Sequence, residues 1–275
     1  MTMIWRIAAK EIRDGLRNRW VATLIGTLAG LALVLALLGA APGGGVKASA
    51  LSVTVVSLAS LSVYLLPLIA LMLSYDAIVG EAERGTLLLL LSYPVTRWQV
   101  AFGKFLGHLT ILALAILVGY GAAGLLIAWL GGADSEGWQA LTALCASSVL
   151  LGGVFIALGY CLSVVAEERS KAAGLALALW LIFVVIYDLG LLGALLLDSQ
   201  QSLSPGLFTT LLLANPTDAF RLFNMTLFEG VRDAGGLAGL GAEALPHRYL
   251  PLALLALWAS TALATATVLF IRKEI

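Results

Sequence analysis

Apolar residues in this chain come in long unbroken runs, separated by short charged or glycine-rich breaks. Six runs are long enough to cross a bilayer: Val21–Ala41, Ser52–Tyr75, Phe105–Leu130, Trp138–Val165, Ala172–Leu197 and Tyr249–Ile271. Each reaches the roughly 20 residues needed to span about 30 Å of hydrocarbon. No water is available there to backbone N–H and C=O groups, so each run is expected to be a helix that pairs them internally. The pattern predicts an all-α membrane protein, with residues 1–275 forming one transmembrane domain of six spans. The first run follows a basic lead, as a signal peptide would. It is longer than a usual signal core, and is read as a retained span.

Three segments outside the runs carry pattern of their own. In residues 1–20, Arg6, Lys10, Arg13 and Arg17 recur at spacings of four, three and four, which places them on one helical face. Ile4, Trp5, Ala8, Ile12 and Leu16 supply an apolar face, so an amphipathic helix lying at the membrane surface is expected. It would anchor the topology or stand at the mouth of a lateral gate. Residues 76–104 place an apolar stretch, Leu88–Leu91, between a charged turn and a proline break. Residues 198–250 are too long for a turn. Two apolar or amphipathic pieces, Leu207–Leu213 and Asp218–Phe228, flank Asn215-Pro216, and a glycine-rich stretch, Gly235–Gly241, follows. Their aromatic and aliphatic content predicts short helices near the membrane surface rather than disorder.

Composition agrees: 61% of residues are hydrophobic and 12% charged, against about 45–50% and about 25% in soluble domains. The excess is surface for lipid, and no stretch has the charge density of a soluble domain. A net charge of zero argues against a nucleic-acid partner. Twelve of the sixteen lysines and arginines fall in the N-terminal segment, residues 76–104, residues 166–171 and the C-terminus. Only Lys47, Arg221, Arg232 and Arg248 fall on the other side. The positive-inside rule then puts both termini in the cytoplasm.

Reactive groups are scarce. The chain has no GxxxxGK[ST], HExxH, GxSxG or CxxC string. Its two histidines, His108 and His247, fall on opposite sides, so no metal site is expected. Cys145 and Cys161 lie roughly 24 Å apart along one helix and cannot bridge. Asp188 is the conspicuous ionisable residue inside a span. It reads either as a pathway residue or as a side chain reaching the outer interface. Gly26-xxx-Gly30 permits close helix approach and is a candidate dimer seam.

The string Glu81-Ala82-Glu83-Arg84-Gly85-Thr86-Leu87, followed by Leu90-Leu91-Ser92-Tyr93-Pro94, Arg97 and Gly103-Lys104, resembles the signature of type-2 ABC-transporter permeases. The likeness extends to the whole layout. It implies a non-catalytic subunit in a bacterial inner membrane, forming a homodimer with two copies of a separate cytoplasmic ATPase, which would hold the ATP and magnesium. Glu81, Glu83, Arg84, Gly85, Thr86, Pro94 and Arg97 would form the main coupling element, and Glu167, Glu168 and Arg169 the second. Within the family, Ile4–Glu11, Tyr75–Arg97 and Asn215-Pro216-Thr217-Asp218-Ala219-Phe220-Arg221 are similar to permeases serving copper-site maturation of nitrous oxide reductase in denitrifying bacteria. That likeness implies a periplasmic partner protein, contacted by Asn215, Pro216, Asp218, Phe220 and Arg221. Rival expectations are a true exporter of a sulfur-containing or lipidic species, an integral membrane enzyme acting on lipid, and a bare structural anchor.

Overall fold

The computed structural model describes residues 2–39, 49–197, 204–226 and 245–273. The expected glycine-rich stretch Gly235–Gly241 lies outside them. The described residues form helices α1 (Thr2–Arg17), α2 (Arg19–Gly39), α3 (Ala50–Ser74), α4 (Val79–Glu83), α5 (Thr86–Leu91), α6 (Arg97–Trp129) and α7 (Ser135–Val165). Next comes α8 (Arg169–Leu181), which runs through a π-helical turn at Ile182–Ile186 into α9 (Tyr187–Leu197). Then follow α10 (Pro205–Ala214), α11 (Pro216–Thr226) and α12 (Leu250–Arg272). Six of these units are long and apolar enough to cross a membrane: α2, α3 with its extension to Glu83, α6, α7, α8–α9 and α12. These are the six predicted runs, with ends set by local chemistry. The fourth starts at Ser135 rather than Trp138 because the Asp134 carboxylate accepts from Gly137 N at 2.8 Å and from Ser49 Oγ at 2.8 Å, an N-cap that also ties α7 to the start of α3. The third starts at Arg97 because the Gln99 side chain reaches back to Thr96 N at 3.1 Å.

Helices α3, α6 and α7 form the centre and bury half or more of their most apolar stretch, whereas α2, α8–α9 and α12 bury about a fifth. Helix α7 packs along α3 and α12, while α1 and α2 both lie on α6. The outward faces of the peripheral spans carry large aliphatic side chains, including Leu37, Leu177, Ile186 and Leu257. That arrangement suits lipid, since in hydrocarbon nothing drives such side chains inward.

Helix α1 divides the apolar face expected of it. It is seated on α6 through Ile7, Ala8 and Glu11, all buried, while Trp5 and Leu16, assigned to the apolar face, are 66% and 52% exposed. The seat depends on two glycines of α6. A Cβ at Gly103 would lie 2.9 Å from Ile7 Cβ and 3.0 Å from Ile4 O, and one at Gly107 would lie 2.6 Å from Glu11 Cβ. This small-xxx-small pair lets α1 approach α6 closely. Gly26 and Gly30 sit on an open face of α2, with nothing within 4 Å of where a Cβ would stand.

Replacing Gly107 with Val forces α1 off α6 and is expected to cost about 1–3 kcal/mol by overpacking. Gly121→Ala, at a site with nothing within 4 Å, serves as the control and should show no loss, since alanine is the better helix former there. Thermal unfolding of the detergent-solubilised chain, followed by helical signal, checks the difference.

Candidate functional site

Two polar clusters lie at opposite ends of the bundle. The first gathers α1, α4, α5 and the near ends of α6 and α8. After α3 the chain turns, and Ser163 Oγ of α7 accepts from Ile78 N at 2.9 Å and Val79 N at 3.1 Å, which satisfies two amides at the start of α4. Glu81 then points inward. Lys104 Nζ, on a side chain only 2% exposed, sits 2.8 Å from Glu81 Oε1 and 2.9 Å from Glu11 Oε1. Lys10 Nζ lies above the same pair, 3.2 Å from Glu11 and 3.4 Å from Glu81. Two carboxylates and two ammonium groups therefore balance, and they come from three separate helices. His108, one turn beyond Lys104, bonds Tyr160 Oη at 2.6 Å and stands 3.7 Å from Glu11. A cavity of about 490 Å³ opens beside the cluster, bordered also by Asp14, Asp76 and Arg169.

Burial alone would raise the Glu11 carboxyl, but the Lys104 ammonium, with His108 and Lys10, outweighs it and holds the group at about 2. Burial works against the charge of Lys10 as well, yet Glu11 and Glu81 keep its pKa above the ordinary value.

The sequence-predicted coupling residues divide. Glu83, Arg84, Gly85, Thr86, Pro94, Glu167 and Glu168 are exposed. Gly85 holds φ +70° between α4 and α5, a left-handed conformation in which any other side chain is strained. Beyond it Thr86 Oγ1 donates to Glu81 O at 3.3 Å, and Leu87 is buried under α5. Leu88, Leu89 and Tyr93 stand 60%, 64% and 59% exposed. Glu81, Arg97 and Arg169 instead make internal contacts. Arg97 donates to the carbonyls of Phe270, Ile271 and Lys273, closing the C-terminal end of α12. Arg169 bonds Asp76 at 2.7 Å, and its backbone N–H donates to Glu83 Oε1 at 2.7 Å, placing that carboxylate at the N-terminus of α8. The structure thus brings the first and second expected contact segments together.

The second cluster joins α11 to the span α8–α9. At the π-helical turn the Phe183 carbonyl faces sideways and accepts from Asn215 Nδ2 at 2.8 Å and Thr217 Oγ1 at 3.2 Å. One helical turn onward, Arg221 bridges Asp188 at 2.9 Å and Asp218 at 2.8 Å. Asp188 therefore pairs with a cation of α11 and does not stand alone. Burial raises the Asp218 carboxyl, the pull of Arg221 opposes this, and the nearby charge of Asp188 adds to the rise. The five residues expected to contact a periplasmic partner are placed inside the chain: Asn215, Pro216, Asp218 and Phe220 are buried, and Arg221 is nearly so. Helix α11 packs against α3, α7 and α12, and of the five only Arg221 keeps some side-chain exposure, 14%.

Glu11, Lys104, Lys10 and Lys273, whose Nζ reaches Val164 O at 2.6 Å, escaped the sequence reading as contact residues. The signal was present for one of them: Lys104 stands at the start of an apolar run, four residues before His108 and on the same helical face, which demands a partner. Among the described residues no three of His, Cys, Asp and Glu converge as metal ligands.

Lys104→Met leaves Glu11 and Glu81 facing each other with only Lys10 beside them. It is expected to cost about 3–5 kcal/mol. Combining it with Glu11→Gln and Glu81→Gln should recover most of the loss in unfolding midpoint. Because the Glu11 carboxyl is lowered on folding, its contribution is complete above the ordinary value of 4.5 and fades as pH falls towards about 2. Glu11→Gln should flatten that part of the stability–pH curve, read from unfolding midpoints across the acid range.

A family model described as "ABC-2 family transporter protein" matches residues 5–275. A protein of Stutzerimonas stutzeri named "Probable ABC transporter permease protein NosY" is 49% identical over 276 residues, covering 99% of each chain. A protein of the same name from Pseudomonas aeruginosa is 51% identical over 279 residues, covering 100% of each. With six membrane-crossing helices and a match across nearly its whole length, the chain belongs to the ABC-2 family of transporter proteins, as a non-catalytic membrane permease subunit.

Proposed function

We propose that this permease converts ATP hydrolysis on a separate cytoplasmic ATPase into movement at the opposite face of the membrane. In this reading the chain works as a homodimer in a bacterial inner membrane, with two ATPase copies and a periplasmic partner, and serves copper-site assembly of nitrous oxide reductase. The near-complete match to proteins named NosY supports the assignment to that system. ATP and magnesium are bound by the partner. The distribution of basic residues supports a cytoplasmic position for both termini. The open glycine face of α2 at Gly26 and Gly30 suits the pairing of two copies.

One observation carries the coupling reading. Helix α5 presents Leu88 and Leu89 outward, with Tyr93 exposed just beyond its end, while the preceding α4 is pinned from beneath by Lys104. An apolar face free to bury against a partner, rigidly backed by ion pairs to α1 and α6, can pass a push from that partner into the spans. Arg84, exposed at the turn between the two short helices, and the Glu167–Arg169 segment beside it complete the contact surface. The ATPase contact and the spans would be linked by a coupling energy of the usual order, about 1–3 kcal/mol.

Leu88→Asp with Leu89→Asp should reduce capture of the ATPase subunit at least tenfold in co-purification, with the unfolding midpoint of the isolated chain unchanged. Arg84→Glu should leave the bundle folded while abolishing the response of ATP hydrolysis to assembly with the permease. Normal capture and normal coupled hydrolysis in both variants overturn the proposal. Glu81 is unsuitable for the same test, since reversing its charge also destroys the pairing with Lys104.

A further inference from the structure

Seating α1 on α6 divides the helix into three faces rather than two. At 100° per residue, the buried residues Ile7, Ala8 and Glu11 occupy one side, and Arg6, Arg13 and Arg17 fall within about 40° of one another on nearly the opposite side. Between them runs a flank with Trp5 and Leu16, both exposed and apolar. The three arginines are exposed, and none forms a salt bridge among the described residues, whereas Lys10 turns back to Glu11, Asp14 and Glu81. The stretch of α6 beneath the seat leaves Trp98 and Phe102 exposed as well.

From this arrangement we infer that the outer face of α1 is a binding surface for anionic phospholipid headgroups. Helix α1 adjoins the start of α2, a membrane-crossing helix, so its free side stands at the bilayer boundary. Trp5 and Leu16 enter the acyl border, and Arg6, Arg13 and Arg17 meet phosphates. The charge pattern fixes the class of lipid: three unpaired guanidinium groups in one row complement a net-negative headgroup, and a zwitterionic one answers them only in part. Each cation near such a surface changes partition by about fivefold. The bound lipid then lies on the same short helix whose inner face carries Glu11, one of the two carboxylates on Lys104.

The test uses the full chain reconstituted in vesicles of equal phosphatidylglycerol and phosphatidylcholine. After extraction, the lipids retained per chain are counted by native mass spectrometry. The expected result is a preference for phosphatidylglycerol of several-fold, falling towards unity in an Arg6→Gln, Arg13→Gln, Arg17→Gln variant. It should be kept in the corresponding three-lysine variant, which preserves inward charge and insertion. Arg248→Gln, at the opposite end, should leave it unchanged. A preference that survives in the glutamine variant, in chain shown to be folded by its helical signal, overturns the inference. So does loss of ATPase capture by that variant in lipid-free detergent with its lipid preference intact, which would assign the face to protein contact. The lipid count needs no ATPase subunit, so its outcome is independent of the coupling reading.

Discussion

An ammonium group shut away from water is the constraint around which the rest of this molecule is arranged. Lys104 is almost wholly buried, and the desolvation of one such ion amounts to several kcal/mol unless well-placed partners offset it. Its partners come from two places distant in sequence, Glu11 in the first helix and Glu81 in the short helix α4 that follows α3. These ion pairs add to the few other contacts that hold the two elements, Ser163 and Arg169 on α4 and the buried Ile7 and Ala8 of α1. Helix α1 is a short amphipathic segment with little apolar area to bury, and α4 is a single turn and a half. Because Lys104 must have both carboxylates, the first helix is drawn onto the third span and the apolar α5 is presented at a fixed height. The glycines at 103 and 107 are the steric counterpart of the same demand: without them Glu11 could not come near enough.

The opposite end solves a similar problem with the charges reversed. There a guanidinium is shared by two aspartates, and the segment being held is α11. The π-helical turn contributes what a regular helix could not, a backbone carbonyl facing sideways from a span, and Asn215 and Thr217 bond to it. Both ends thus use side chains to fasten an element that does not cross the membrane to one that does. Lipid gives apolar surfaces little cause to associate, so polar contacts and close packing carry that work.

The spans themselves were legible in the sequence because their cause is local: an unbroken apolar run has one solution in hydrocarbon, and only the caps, such as Asp134 and Gln99, moved the ends. Short helices on either side of Asn215-Pro216 were legible for similar reasons. The faces were not. Trp5 and Leu16 read as partners of Ile4 and Ala8 because periodicity weighs every apolar residue alike, whereas the structure turns α1 to satisfy Glu11. Arg97 and Arg221 read as contacts for other proteins, since a charged residue beside a membrane run resembles a surface feature until its internal acceptor is known. In each case the deciding group lay tens of residues away in the chain, and no local pattern encodes such pairings.

The wide turn at Ile182–Ile186 also sets phase. A π-helical turn accommodates one residue more than the α-helical ladder requires. Everything after it in the fifth span is therefore rotated by roughly 100° relative to an uninterrupted helix. Asp188 follows the turn directly and owes its aim at Arg221 to that extra residue. Removing one residue here would leave a perfectly good membrane helix of nearly the same length and hydropathy, yet it would swing the carboxylate to another side of the span. In this chain, then, the length of the fifth hydrophobic segment matters to the single residue, a constraint invisible to any measure of how greasy the segment is.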